Sequence, residues 1–198
     1  MNARAAVHPI EQESYAILRS RLDTSDLPPL TRAVVERVVH TSADTTWVGD
    51  LVADEAALRA GREALLAGAP LVTDVRMVAA GITARSAVVA LDLAEGPEPG
   101  MTRSAAGIRS AVAQHPDGAV WAIGNAPTAL QELVRCAADG LVRTPLVIGL
   151  PVGFVGAVDA KAALRASGLP AVSNRGERGG AAVAAAAVNA LLYSEETR

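Results

Sequence analysis

Six short runs rich in β-branched and apolar residues recur along the chain with helix-patterned segments between them, and nothing else in the sequence restricts the fold as strongly. The runs are Trp47–Leu51, Leu71–Asp74, Ala87–Leu91, Ala119–Ile123, Leu146–Gly149 and Ala171–Ser173. Strands that alternate with helices pair in parallel, because each return crossing needs a helix lying on a sheet face. The expectation is therefore an α/β fold, a doubly wound, mostly parallel sheet of about five to six strands with helices on both faces, preceded by N-terminal helices.

The helical segments carry their own start and stop signals. Pro9–Leu22 and a segment opened by Pro28 and Pro29 precede the sheet, and proline in a first helical turn forfeits no needed hydrogen bond. Asp54 is placed as the N-cap of a helix that stops near Gly68 and Pro70. Thr102–Gln114, Pro127–Ala138, Val158–Ser167 and Ala181–Leu192 follow, and Leu93–Gly100 reads as a mobile surface loop. At 198 residues, 51% hydrophobic and 20% charged, the chain suits one domain spanning residues 1–198 that folds by itself.

Composition also removes function classes. The net charge of −3 and the scattered basic residues provide no stripe for a phosphate backbone, and 3% aromatics leave no stacking platform for single strands. Only Lys161 among the 18 basic residues is lysine, a bias that suits bidentate carboxylate binding or a GC-rich coding genome. The lone Cys136 rules out an intrachain disulfide or cysteine cluster, in keeping with a cytoplasmic protein, and it reads as a buried, inert thiol. No apolar signal segment opens the chain and no stretch is long enough to span a bilayer.

Ligands of open α/β sheets bind outside the carboxyl ends of the strands. There the sequence places Gly124-Asn125-Ala126-Pro127-Thr128, small residues ahead of a helix N-terminus with free amide donors suited to a carboxylate. Gly149 to Ala157 forms an apolar loop around Phe154 that suits a broad hydrophobic ligand. Arg175-Gly176-Glu177-Arg178-Gly179-Gly180 offers two guanidinium groups to anions. These glycines can equally well close tight strand-to-helix turns, and neither a dinucleotide fingerprint nor a phosphate loop is present.

Spacing of three residues sets Arg37 and His40 on one helix face. The guanidinium opposes an imidazolium beside it, which makes His40 the leading acid–base candidate; a histidine at a helix C-terminus can also serve the dipole alone. His8 and His115 read as surface residues, and no metal site is expected.

Together the residues resemble the precorrin-8X methylmutase family from Ile10 to Leu192. The resemblance rests on Arg37-Val38-Val39-His40, Thr73-Asp74-Val75-Arg76-Met77-Val78-Ala79-Ala80-Gly81 and Thr102-Arg103-Ser104, with the stretches Ile123 to Leu130 and Pro151 to Ala157. It implies a flavodoxin-like sheet, no cofactor, precorrin-8X or its cobalt form as the bound partner, and migration of a methyl group from carbon 11 to carbon 12 of precorrin-8X to give hydrogenobyrinate in cobalamin biosynthesis. It further implies His40 as proton donor or acceptor, with Ser14 and Arg37 on the substrate. A homodimer with its active site near the subunit interface is implied as well, with product channelling to the next enzyme of the pathway. Residue chemistry adds Arg103 as a carboxylate clamp, Asn125 and Thr128 at the helix N-terminus, and Phe154 against the ring. The family usually reads Gly-Gly-Ser where this chain has Gly179-Gly180-Ala181. Two other readings stand beside the enzyme: a non-catalytic corrinoid carrier that holds and hands on hydrogenobyrinate, and a nucleotide-cofactor module on the same kind of sheet.

Overall fold

A computed structural model describes residues 8–96 and 99–194. Outside the described residues lie Pro97 and Glu98 of the expected loop, residues 195–198, and residues 1–7, on which part of the signal-segment expectation falls.

Nine helices and six strands are found among the described residues: α1 Pro9–Arg21, α2 Pro29–Ser42, α3 Trp47–Asp50, β1 Leu51–Ala53, α4 Glu55–Leu66, β2 Leu71–Thr73, α5 Arg76–Gly81, β3 Val88–Val89, α6 Arg103–Gln114, β4 Val120–Ile123, α7 Pro127–Ala138, β5 Val147–Gly149, α8 Ala157–Ala166, β6 Ala171–Asn174 and α9 Ala181–Tyr193. The sheet order is β1-β6-β5-β4-β2-β3. The run β3-β2-β4-β5-β6 is parallel, and β1 closes the far edge antiparallel to β6, with Val52 opposite Ser173. Chain direction across the sheet reverses between β2 and β4, the flavodoxin-like arrangement, and this creates a crevice outside their carboxyl ends.

All four residues of β4 are buried, as expected of a strand covered on both faces. Val120 and Ala122 pack with α2, α4 and α9, whereas Trp121 and Ile123 pack with α6, α7 and α8. Alternation with a period of two thus divides the interior into two layers. The alanine-rich α9 is buried along most of its length. Its short side chains let the sheet approach from one side and α2 from the other.

The expected cap holds, with Asp54 accepting from Ala57 N–H at 2.8 Å. Thr102, expected inside its helix, caps it instead by accepting from Ala105 N–H at 3.3 Å. One strand expectation is corrected: Trp47–Leu51 is not a strand, because Trp47–Asp50 forms a helical turn and extended structure begins at Leu51. Asp44 ends the preceding loop by accepting from Thr46 N–H, and Trp47 is buried beneath the Arg178 guanidinium. Those tertiary contacts override the β-propensity of the apolar run. Similarly, Ala87–Leu91 contributes only Val88–Val89 before a tight helical turn at Ala90–Leu93. Helix α5 falls in a six-residue stretch too short to show helical periodicity.

Candidate functional site

Helix α1 presents Glu11, Ser14, Tyr15 and Leu18 on one face, at the spacing that brings helical side chains together. Opposite them α2 presents Arg37 and His40. Ser14 Oγ and His40 Nδ1 share a hydrogen bond of 2.8 Å, with the donor set by the imidazole tautomer. The Tyr15 ring stacks on the imidazole, 4.8 Å between centroids and 10° between planes. Arg37 donates to Glu11 at 2.8 Å and to the Tyr15 hydroxyl at 3.4 Å, and its guanidinium lies over the Tyr193 ring. Burial opposes charge on Arg37, but Tyr15 and Glu11 outweigh it and hold the group cationic. Burial likewise pushes the Tyr15 phenol up, against the hydrogen bond and charge of Arg37.

Arg37 and His40 both line a cavity of about 260 Å³ closed by Thr41, Gly81 and the small residues Ala182, Ala185 and Ala186 of α9. Asn189, also in its wall, donates to Gly81 O at 2.8 Å and accepts from Thr83 N–H at 3.2 Å, so the end of α5 is tied to α9. On the other side of Arg37 lies a cavity of about 380 Å³ between α1, α2 and Tyr193. Arg37 and His40 share a cavity wall, and Ser14 meets His40 from a separate helix.

The strand-end residues form a second region. Asp74, fully buried just beyond β2, accepts from Gly124 N–H at 3.1 Å, Asn125 N–H at 2.8 Å and Ala126 N–H at 2.9 Å. Burial pushes its carboxyl up, against the pull of those backbone donors. The amide donors expected to be free for a ligand at this loop are therefore occupied by the protein itself, and a carboxylate would have to compete with Asp74. Asn125 and Arg103 are exposed, and Thr128 Oγ1 lies 2.7 Å from Thr102 Oγ1. Phe154 is 92% exposed and Val155 89%.

Helix α9 separates the two regions. A Cβ on Gly124 would meet Ala181 and Ala184, while Ala182, Ala185, Ala186 and Asn189 turn toward His40. Arg103, Asn125, Thr128 and Phe154 are absent from the wall of the His40 cavity.

The glycine-rich turn after β6 corrects another expectation. Arg178 is not held out to an anion: it donates to Asp44, to Thr46 at 2.6 Å and to Asp50 at 2.9 Å, and stacks 4.5 Å from the Trp47 ring centre. Beneath the turn the buried Lys161 donates to Asn174 Oδ1 at 2.9 Å and to Arg178 O at 2.7 Å, and burial lowers its pKa to about 8. Arg175 is exposed, donating to Gly49 O at 3.3 Å. Among the described residues no group of three or more His, Cys, Asp or Glu is placed to hold a metal ion, and no helix is long and apolar enough to cross a membrane.

Sequence reasoning missed Glu11, Tyr15, Asp74 and Tyr193. The first two had a usable signal, since they share the helical spacing of Ser14. Asp74 also had one, as an acid ending an apolar strand beside a loop of small residues. Tyr193 had none, because only the packing of α9 against α2 brings it to Arg37.

Comparison with known proteins identifies the family of the chain. The family described as precorrin-8X methylmutase matches residues 9–194. The precorrin-8X methylmutase of Pseudomonas aeruginosa is 41% identical, with 94% of this chain and 95% of that protein aligned. The cobalt-precorrin-8 methylmutase of a Synechocystis strain is 36% identical over 93% and 94%. The crystal structure of precorrin-8X methylmutase from Thermus thermophilus superposes with a TM-score of 0.83 at 34% identity, covering 92% of this chain and 93% of that one.

Proposed function

The chain belongs to the precorrin-8X methylmutase family, isomerases that move a methyl group within one molecule, and we propose that it transfers the methyl group of precorrin-8X, or of its cobalt form, from carbon 11 to carbon 12 with His40 as the proton donor and acceptor. The observation that carries the residue assignment is the Ser14–His40 hydrogen bond at the wall of a cavity that Arg37 shares. Ser14 engages one ring nitrogen and leaves the other for the substrate. A proton given to the conjugated macrocycle and returned after migration leaves the composition unchanged, as an isomerisation requires. Spreading the positive charge over the ring lowers the barrier, and general acid catalysis of this kind contributes about 10²–10⁴-fold.

Arg37 is suited to a peripheral carboxylate, which would displace Glu11 from the guanidinium in a bidentate pair. A cavity of about 260 Å³ falls below the roughly 300–1,000 Å³ that usually encloses even a drug-sized ligand, so a tetrapyrrole needs further walls. We read residues 1–198 as one domain that works as a homodimer, with the exposed Phe154 loop, Arg103, Asn125 and Thr128 reaching the substrate held by the partner's His40 face. Two exposed apolar residues side by side in a glycine-rich loop support that reading.

Mixing the protein with precorrin-8X, and separately with its cobalt form, without oxygen tests the proposal through the absorption spectrum. Conversion of one form to the spectrum of its rearranged product is expected, and His40→Ala should abolish turnover while sparing binding. Unchanged turnover in H40A would remove His40 from the mechanism, and tight binding by the native protein without conversion of either form would make it a carrier.

A further inference from the structure

Helix α1 delivers Ser14 to His40, yet little apolar packing holds it there. Leu18 is its one buried residue, while Ile10 and Ile17 are 69% and 45% exposed. Contacts with α2 through polar and aromatic groups do the work instead: Arg19 to Glu36 at 2.7 Å, Arg37 to Glu11 at 2.8 Å, and Tyr15 against His40. Among these only Tyr15 touches the imidazole along with Ser14.

Two restraints on an imidazole are complementary. A hydrogen bond at Nδ1 sets the direction of the ring within its plane but leaves the plane free to tilt. A parallel ring at 4.8 Å sets the plane but leaves the direction free. Together they restrict both motions, including the half-turn that would exchange Nδ1 with a carbon. The Tyr15 hydroxyl is meanwhile reached by Arg37 at 3.4 Å, so the phenol bridges the proposed proton donor and the proposed carboxylate clamp.

We propose that Tyr15 is a positioning residue for His40, whose ring face holds the imidazole in the plane from which a proton is transferred, with the hydroxyl secondary. This inference rests on the reading of His40 as the acid–base group. Loss of the ring reduces turnover more than binding, because placing the proton matters in the transition state rather than in the initial complex.

Tyr15→Phe keeps the ring, whereas Tyr15→Leu and Tyr15→Met remove it with two differently shaped apolar side chains. The expected result is a kcat about tenfold lower in Y15L and Y15M with KM within about threefold, and a Y15F enzyme within about twofold of native in both. The chain has three histidines, so the His40 imidazole is readily assigned by NMR. Native and Y15F proteins should show His40 ring protons shielded by the adjacent ring and a single imidazole tautomer in nitrogen-15 correlations, with both features lost in Y15L and Y15M. Native kcat in Y15L and Y15M, unchanged His40 signals in them, or equal losses in all three variants would overturn the proposal. Retained turnover in H40A would instead defeat the underlying assignment of His40, and the Tyr15 variants would still report the ring geometry through NMR.

Discussion

Replacing Gly179 by alanine should damage this protein out of proportion to the size of the change. A Cβ at Gly179 would stand 2.3 Å from Leu150 O, 2.4 Å from Pro151 O and 2.8 Å from Pro151 C. These are backbone atoms, held by the Gly180 N–H bond to Leu150 O at 2.9 Å and the Gly153 N–H bond to Glu177 O at 3.1 Å, so no flexible side-chain end can yield. Overpacking usually costs about 1–3 kcal/mol, and immovable neighbours place this case at the upper end. Alanine regains about 0.4–1 kcal/mol by restricting the unfolded chain, which leaves a net loss of about 2–2.6 kcal/mol. At roughly 2–4 °C per kcal/mol for a chain of this size, the thermal midpoint should fall by about 4–10 °C. Gly176 is the control, since its nearest neighbour is 3.9 Å away at Asp50 and G176A should be neutral or slightly stabilising. Urea unfolding of both variants decides the matter, and unfolding free energies within about 0.5 kcal/mol of one another would refute the reasoning. Because the turn sets the start of α9, G179A should also lose turnover through displacement of Ala182, Ala185 and Ala186 from the His40 cavity.

Three further outcomes are expected. Lys161 is held by burial at a pKa of about 8, below its unfolded value, so the unfolded chain binds the extra proton between about pH 8 and 10.4. Stability should therefore rise across that window, by up to about 1.4 kcal/mol per pH unit, and this component should vanish in K161M when urea midpoints are measured against pH. Glu36 is pushed up by burial but held below the usual carboxylate range by Arg19, Thr24 and Arg32. Its contribution is present above the unfolded pKa and lost as pH falls through the folded one, so E36Q should cost about 1–3 kcal/mol at neutral pH and progressively less in acid. Cys136 is buried and its thiol is pushed up by that burial, so a disulfide reagent should label it slowly in the native protein and rapidly in urea.

Features encoded within a few residues were legible without the structure. The cap at Asp54, the proline-led starts of α2 and α7, five of the six strands, and the common face of Arg37 and His40 at i, i+3 all depend on local stereochemistry or on a hydrophobic period. Family resemblance added Ser14, which no local pattern would have chosen from a half-exposed helix. Trp47–Leu51 was misread because a five-residue run has no measurable period, and the helical turn there depends on Asp50 meeting Asn174 and Arg178, more than 120 positions away.

What only the tertiary structure decided was the use made of each charged or polar group. In sequence Arg178 and Arg37 are similar arginines, yet the fold gives one to Asp44 and Asp50 as a brace and places the other in the wall of a cavity. Likewise the backbone amides of Gly124, Asn125 and Ala126 were recognisable as donors, but their acceptor, Asp74, lies 50 positions earlier and reaches them because β2 and β4 are neighbours in the sheet. Propensity and periodicity act over one helical turn or one strand, whereas the energy of a buried charge depends on partners that come near it only when the chain has closed around them.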